Sequence, residues 1–337
     1  MTTQANRPRG YIYTVLATIS FSNVYIFSKA AMNDMSMSQF WFYWFLVAFS
    51  LNLAVVLFRG KLSVLRALPK KSRWVLPTLG AMEIATTTLF FASIKVIENP
   101  AVTSFMGNLF PLFVTLMGVV LLKERFTRLE TVGIVVVLVG AFITSYSGSA
   151  KLADFFIPGT GLVVLNALFA AATTILVKVK VKDFPPELLN FNRTFWLFLF
   201  AIGWILVSGN SLNVPGRAML NTGLGAFFGP FLAVLLVYKS FEHIEASRSS
   251  IIQALKGLFV MGGVLIYFGQ LPQGYQIFGG VLSVAGVILI AVAKLPEQYR
   301  NKKARKNNSG KHLDNYQNVN SNLTNPYSET SEPWRGL

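Results

Sequence analysis

Apolar stretches of about 20 residues, enough to cross about 30 Å of hydrocarbon at 1.5 Å per residue, recur along almost the whole of this 337-residue chain. Ten can be delimited, approximately at 11–31, 39–58, 74–94, 101–122, 129–147, 159–179, 188–208, 223–241, 249–268 and 276–293. Most links between them are too short to hold a soluble domain. The composition agrees: 53% of residues are hydrophobic and 13% charged, where soluble domains carry about 25% charged. The expected fold is an all-α integral membrane protein with ten transmembrane helices. The first stretch follows "MTTQANRPRG" and has no small-residue cleavage site behind a short apolar region. It is read as helix one and not as a removed signal peptide.

A net charge of +16 raises the question of nucleic acid, but the charge follows the membrane. Threading ten spans puts Arg7, Arg9, the six cations of "RGKLSVLRALPKKSR", the three of "LKERFTR", Lys178, Lys180, Lys182, Lys239, Arg248 and the basic tail on one side. The other side receives Lys29, Lys95, Lys151 and Arg217. Cytoplasmic loops carry the excess of Lys and Arg, so both termini are expected in the cytoplasm. The partners this implies are the lipid bilayer and a small-molecule substrate, with no nucleic acid; a homodimer is left open. The expected location is the bacterial inner membrane.

The two halves of the sequence repeat one another. Set 146 residues apart, "NLFPLFVTLMGVVLLKERFTRLETVGIVVVLVGAFI" and "ALKGLFVMGGVLIYFGQLPQGYQIFGGVLSVAGVIL" pair Leu109 with Leu255, Gly133 with Gly279 and Gly140 with Gly286. Earlier segments pair at 149, Lys29 with Lys178 and Asp34 with Asp183. Helices 1–5 therefore match helices 6–10. Five is odd, so the copies must cross the membrane in opposite senses, the arrangement from which many secondary transporters build alternating access around a midplane site. The expected organisation is a cytoplasmic N-terminus (1–10), a first repeat (11–147), a linker (148–158), a second repeat (159–293) and a disordered polar, basic tail (294–337).

The run "FFASIKVIENPAVTSFMGNLFPLFVTLMGVVLLKERFTRLETVGIVVVLVGAFI" resembles the EamA domain of the drug/metabolite transporter superfamily. Pro111 in helix 4, Glu124 with Arg125 after it, and Gly133 and Gly140 in helix 5 carry the resemblance. It implies a ten-helix carrier whose central cavity is lined by helices 1–4 and 6–9, with helices 5 and 10 peripheral. The second copy departs from the first, with Gly257 for Pro111 and Gln270 for Glu124, and the arginine early in helix 7, Arg193, faces Trp44 at the matching place in helix 2.

Candidate substrate-binding residues are polar groups inside the spans, because a polar group facing lipid is costly. They are Lys256, Glu83, Asn108, Ser104, Tyr25 and Arg193. Ser104, Asn108, Pro111 and Thr115 share one helical face, as do Thr14, Thr18, Ser22, Tyr25 and Lys29. Glu83 and Lys256 lie at similar depth from the cytoplasm and are expected near each other. A carboxyl in hydrocarbon favours its protonated form, which makes Glu83 the candidate for proton coupling, with an ion pair to Lys256 as the structural alternative. Snorkelling is the alternative for Lys256 and for Arg193. Pro111 and Gly257 are the expected kink positions, and the glycines of helices 5 and 10 are expected to serve close packing.

The sequence has no cysteine, and its histidines are His243 and His312. No nucleophile constellation, metal cluster, phosphate loop or nicotinamide fingerprint is found, so neither an enzyme nor a cofactor is expected. The reading is secondary transport, in the export direction, of a small polar metabolite such as an amino acid. Nucleotide sugars, phosphorylated metabolites or drugs are the alternative cargoes, and a non-transporting scaffold or sensor is the alternative class.

Overall fold

The computed structural model describes residues 7–60, 74–122, 127–149, 156–180, 183–290 and 292–293. The tail beyond 293, Glu124 with Arg125, and most of the 148–158 linker lie outside the described residues. The described residues between 7 and 290 form an all-helical body with these segments: α1 Arg7–Asp34, α2 Met37–Phe58, α3 Val75–Val96, α4 Pro100–Met106 resuming as Leu109–Leu122, α5 Arg128–Ser145. The second half follows with α6 Thr160–Lys180, α7 Pro186–Ser208, α8 Gly216–Phe241, α9 Ala246–Gln253 resuming as Lys256–Phe268, and α10 Gly274–Ile290. Among the described residues, eight helices are long and apolar enough to cross a membrane, while α5 and α10 are shorter apolar helices.

Local chemistry sets the ends. Ser36 caps α2 in a reciprocal box with Gln39, and Asn99 caps α4 ahead of Pro100 by accepting from the Ala101 amide at 2.9 Å. Gly209 and Gly269 close α7 and α9 at φ of 63° and 66°, where a side chain would be strained. The ends of α3 and α8 are closed by lysines from other helices. Lys29 donates to the Ile94 and Ile97 carbonyls at 3.1 and 2.8 Å, and Lys178 donates to those of Phe241 and Ile244. Cations there satisfy orphan carbonyls and the negative end of the helix dipole.

Three helices are interrupted, and not quite where the sequence places the kinks. Pro111 stays inside a regular turn; the break in α4 lies at Gly107–Asn108. A proline ring clashes with the carbonyl four residues earlier, here that of Gly107, and Phe110 bonds that carbonyl in a tighter turn at 3.0 Å. The counterpart in α9 breaks at Ala254–Leu255 without a proline. Gly257 is not its hinge: a Cβ there would stand 2.6 Å from the Phe105 ring, so the glycine admits α4 against α9. The third interruption was not anticipated. In α8, Pro230 sits within a π-helical turn, Phe227–Ala233. Side chains take up the loosened carbonyls: Ser20 donates to Phe228 at 2.7 Å, and Asn190 donates to Pro230 at 3.0 Å and to Phe231 at 3.2 Å.

Packing follows a regular scheme. α2 lies along α7, α3 along α6, and α8 along α1; α4 packs on α6 and α9 on α1; α3 meets α7 and α8 meets α2. α5 and α10 cross at a seam of four glycines. A Cβ on Gly133 would stand 2.9 Å from the Gly286 carbonyl, and one on Gly140 would stand 2.6 Å from the Gly279 carbonyl. The aromatic core of Phe40, Trp41, Trp44, Phe45 and Phe91 fills one end of the body. Large apolar side chains such as Ile12, Val135, Leu199 and Ile288 cover the outside, a surface suited to lipid and not to water.

Candidate functional site

Inside the body is a cavity of about 190 Å³. Among the described residues its lining comes from α1, α2, α3, α4, α6, α7, α8 and α9, and none from α5 or α10. Its charged lining is Glu83, Arg193 and Lys256, which stand about 10 to 15 Å along α3, α7 and α9 from their first residues at 1.5 Å per residue.

Glu83 is bound on both oxygens. Arg193 Nε donates to Oε2 at 2.7 Å, and the Tyr238 hydroxyl donates to Oε1 at 3.1 Å. Arg193 Nη2 reaches the Thr87 hydroxyl at 3.3 Å, and its buried Nη1 has no partner. The pair is shielded, its side chains 14% and 10% exposed. α3 and α7 bring it together because Glu83 and Thr87 stand one turn apart on α3, facing Arg193. Burial without pairing would be costly for either charge, so each fixes the other's rotamer.

Lys256 opens the second segment of α9 and lines the same cavity. Its Nζ lies 5.8 Å from the centre of the Tyr25 ring and 6.0 Å from that of Phe110, at the outer limit of cation–π attraction. No carboxylate pairs with it among the described residues. The expected proximity of Glu83 and Lys256 is therefore corrected in one respect. They share a cavity, but the ion pair of Glu83 is with Arg193, because α7 turns that guanidinium inward instead of letting it snorkel.

Two residues expected at the site line no part of it. Asn108 donates to the Ser283 hydroxyl of α10 at 2.8 Å, and Ser104 is buried beside the Tyr25 hydroxyl. α4 breaks at Gly107–Asn108, and Ser104, Asn108 and Thr115 are all buried. Gly107 and Phe110 reach the cavity from α4 instead. Tyr25 does line it, with its ring edge-on to Phe90 at 5.1 Å. Asn166 donates to the Thr86 carbonyl at 2.8 Å, and Thr173 faces the Thr86 hydroxyl at 3.4 Å. Tyr267 turns away and donates to Asn221. Gln253 and Trp44 belong to the lining and were not singled out; Trp44, noted as the counterpart of Arg193, carried the available signal.

A family model described as the EamA-like transporter family matches residues 8–146 and 157–292. The chain belongs to this family. An uncharacterized transporter of Synechocystis sp. is 26% identical over 265 residues, covering 73% of this chain and 74% of that protein. One of Archaeoglobus fulgidus is 28% identical over 202 residues, covering 59% of this chain and 68% of its own length. A solved crystal structure, 17% identical, superposes with a TM-score of 0.65 over 85% of this chain and 98% of that one, and shares the fold. Family and helices together make this an integral membrane protein of transporter type.

Proposed function

We propose that the chain is a secondary carrier that moves a small polar metabolite, in the export direction, by alternating access between two inverted five-helix repeats, with both termini cytoplasmic. The observation that carries it is the placement of the charged groups Glu83, Arg193 and Lys256 in a cavity lined by helices of both halves, to which, among the described residues, α5 and α10 contribute nothing.

The packing supports the inversion. Exchanging each helix with the one five places on leaves the scheme unchanged: α3 on α6 becomes α8 on α1, and α4 on α6 becomes α9 on α1. Gly133 meets Gly286 and Gly140 meets Gly279, which is the reciprocal pattern a twofold axis requires of positions 146 apart. Lys29 and Lys178 close equivalent helix ends, and α4 and α9 break within one residue of matching places. Each half can then take up the other's conformation.

The cavity size favours a small solute. Drug-sized sites begin at about 300 Å³, so about 190 Å³ fits an amino acid or a comparable acid better than a nucleotide sugar. Proton coupling is assigned to Glu83, whose protonation would release Arg193 from its ion pair. Liposomes reconstituted with the full chain and preloaded with radiolabelled amino and organic acids are expected to lose label faster than empty ones, and faster still under an inward proton gradient. Glu83→Gln is expected to abolish the response to the gradient. Equal leakage with and without protein would overturn the carrier reading and favour a scaffold.

A further inference from the structure

The cavity carries an uneven set of charges. Its charged lining among the described residues is one carboxylate, Glu83, against one guanidinium, Arg193, and one ammonium, Lys256. The carboxylate is already engaged on both oxygens, by Arg193 and by Tyr238. Each oxygen keeps a lone pair, but the charge is already balanced by Arg193, so the ammonium of a zwitterion would add a further cation to a lining that carries two cations against one carboxylate. Two donors, in contrast, stand open among the described residues: Lys256 Nζ has ring contacts but no carboxylate, and Arg193 Nη1 is buried without a partner. A cation held away from water calls for an anion.

Beside neutral polar groups such as Thr86, Thr174, Asn166 and Gln253, the lining has a large aromatic share. Phe21, Trp44, Phe45, Phe90, Phe91 and Phe110 face the same space. The repeat sharpens the point, because the positions matching Lys256 and Arg193 are Phe110 and Trp44. One half thus presents rings where the other presents cations. A ligand with an anionic end and a flat apolar body meets both walls, its charge on one and its body on the other.

We propose that the substrate is a small monocarboxylate with an aromatic or branched apolar body and no amino group, its carboxylate held by Lys256 and the free edge of Arg193. This rests on the carrier reading above and narrows its substrate class from amino acids to amine-free acids. Glu83 then has a positioning role toward Arg193 and does not touch the ligand's charge.

Phenylpyruvate and phenylalanine test it, since they share a carbon skeleton and differ in a 2-oxo or a 2-ammonium group. The full chain in detergent is titrated with each, and with pyruvate, while thermal midpoint and tryptophan fluorescence are followed; a specific ligand raises the midpoint by mass action. Phenylpyruvate is expected to raise it at millimolar concentration, phenylalanine and pyruvate to leave it unchanged. Lys256→Met is expected to weaken phenylpyruvate binding about tenfold or more, the effect of one charged hydrogen bond, and Lys256→Arg to retain part of it. Three results overturn the proposal: phenylalanine binding as well as phenylpyruvate, no binding of phenylpyruvate at all, or equal binding by Lys256→Met. Any of these alongside label efflux from liposomes leaves the carrier reading standing and removes only the anion assignment.

Discussion

Arg193→Met is expected to lower the unfolding free energy by about 3 to 5 kcal/mol, the range found when one partner of a buried ion pair is removed. The pair is close, 2.7 Å between Arg193 Nε and Glu83 Oε2, and almost fully shielded. Methionine keeps the stem and its packing, leaving Glu83 as a buried carboxylate held by the Tyr238 hydroxyl alone. The double replacement Glu83→Gln with Arg193→Met removes both charges and is expected to recover more than half of the loss. Thermal melting of the purified full chain in detergent reads both. Wild-type melting in Arg193→Met would mean that the charge reaches water and is not held in the cavity.

Gly140→Val is expected to be as damaging, for a purely steric reason. The first atom of any side chain there would stand 2.5 Å from the Ser283 nitrogen and 2.6 Å from the Gly279 carbonyl. Both are backbone atoms, so no rotamer change relieves the clash and α5 must move off α10. Overpacking a well-packed core costs about 1 to 3 kcal/mol, occasionally more, and a crossing where backbone meets backbone is expected at or above the top of that range. Gly118→Val is the control, because nothing lies within 4 Å of its added carbon. Monodisperse yield on size exclusion should collapse for the first variant and hold for the second.

The helices themselves were legible because hydrocarbon leaves the backbone few choices: nearly every expected span has its helix within a few residues. The exception is α8, expected from 223 and observed from Gly216, since "GRAMLNTGLGA" is too polar to read as membrane. The glycine seam was legible too. Gly133 and Gly140, repeated at Gly279 and Gly286, leave a one-sided stripe, and such a stripe has little use except close approach. Partner choice was not legible. Whether Glu83 meets Arg193 or Lys256 depends on how α7 is rotated about its axis against α2 and α3, and stacked rings such as Phe49 and Phe198, 5.3 Å apart, set that rotation. No spacing within one helix encodes it.

The α8 interruption was missed for a related reason. Pro230 stands in "GAFFGPFLAV", whose apolar neighbours read as an ordinary span. The side chains that make a π-helical turn tolerable, Ser20 and Asn190, come from α1 and α7. Periodicity with Ser104 and Thr115 could give Asn108 a face but not a partner, and the structure sets its amide on Ser283 of α10.

The central claim, a cavity presented to each side of the membrane in turn, has a direct test in a chain without cysteines. Ala170 is a small lining residue of α6, and Ala170→Cys places one thiol in the cavity of an otherwise thiol-free protein. A membrane-impermeant maleimide is applied to right-side-out and to inside-out vesicles in separate samples. Alternating access predicts labelling from either face, at rates that shift in opposite directions when a bound solute or a proton gradient biases the carrier. Labelling from one face only, under every gradient and with every solute, would contradict the account.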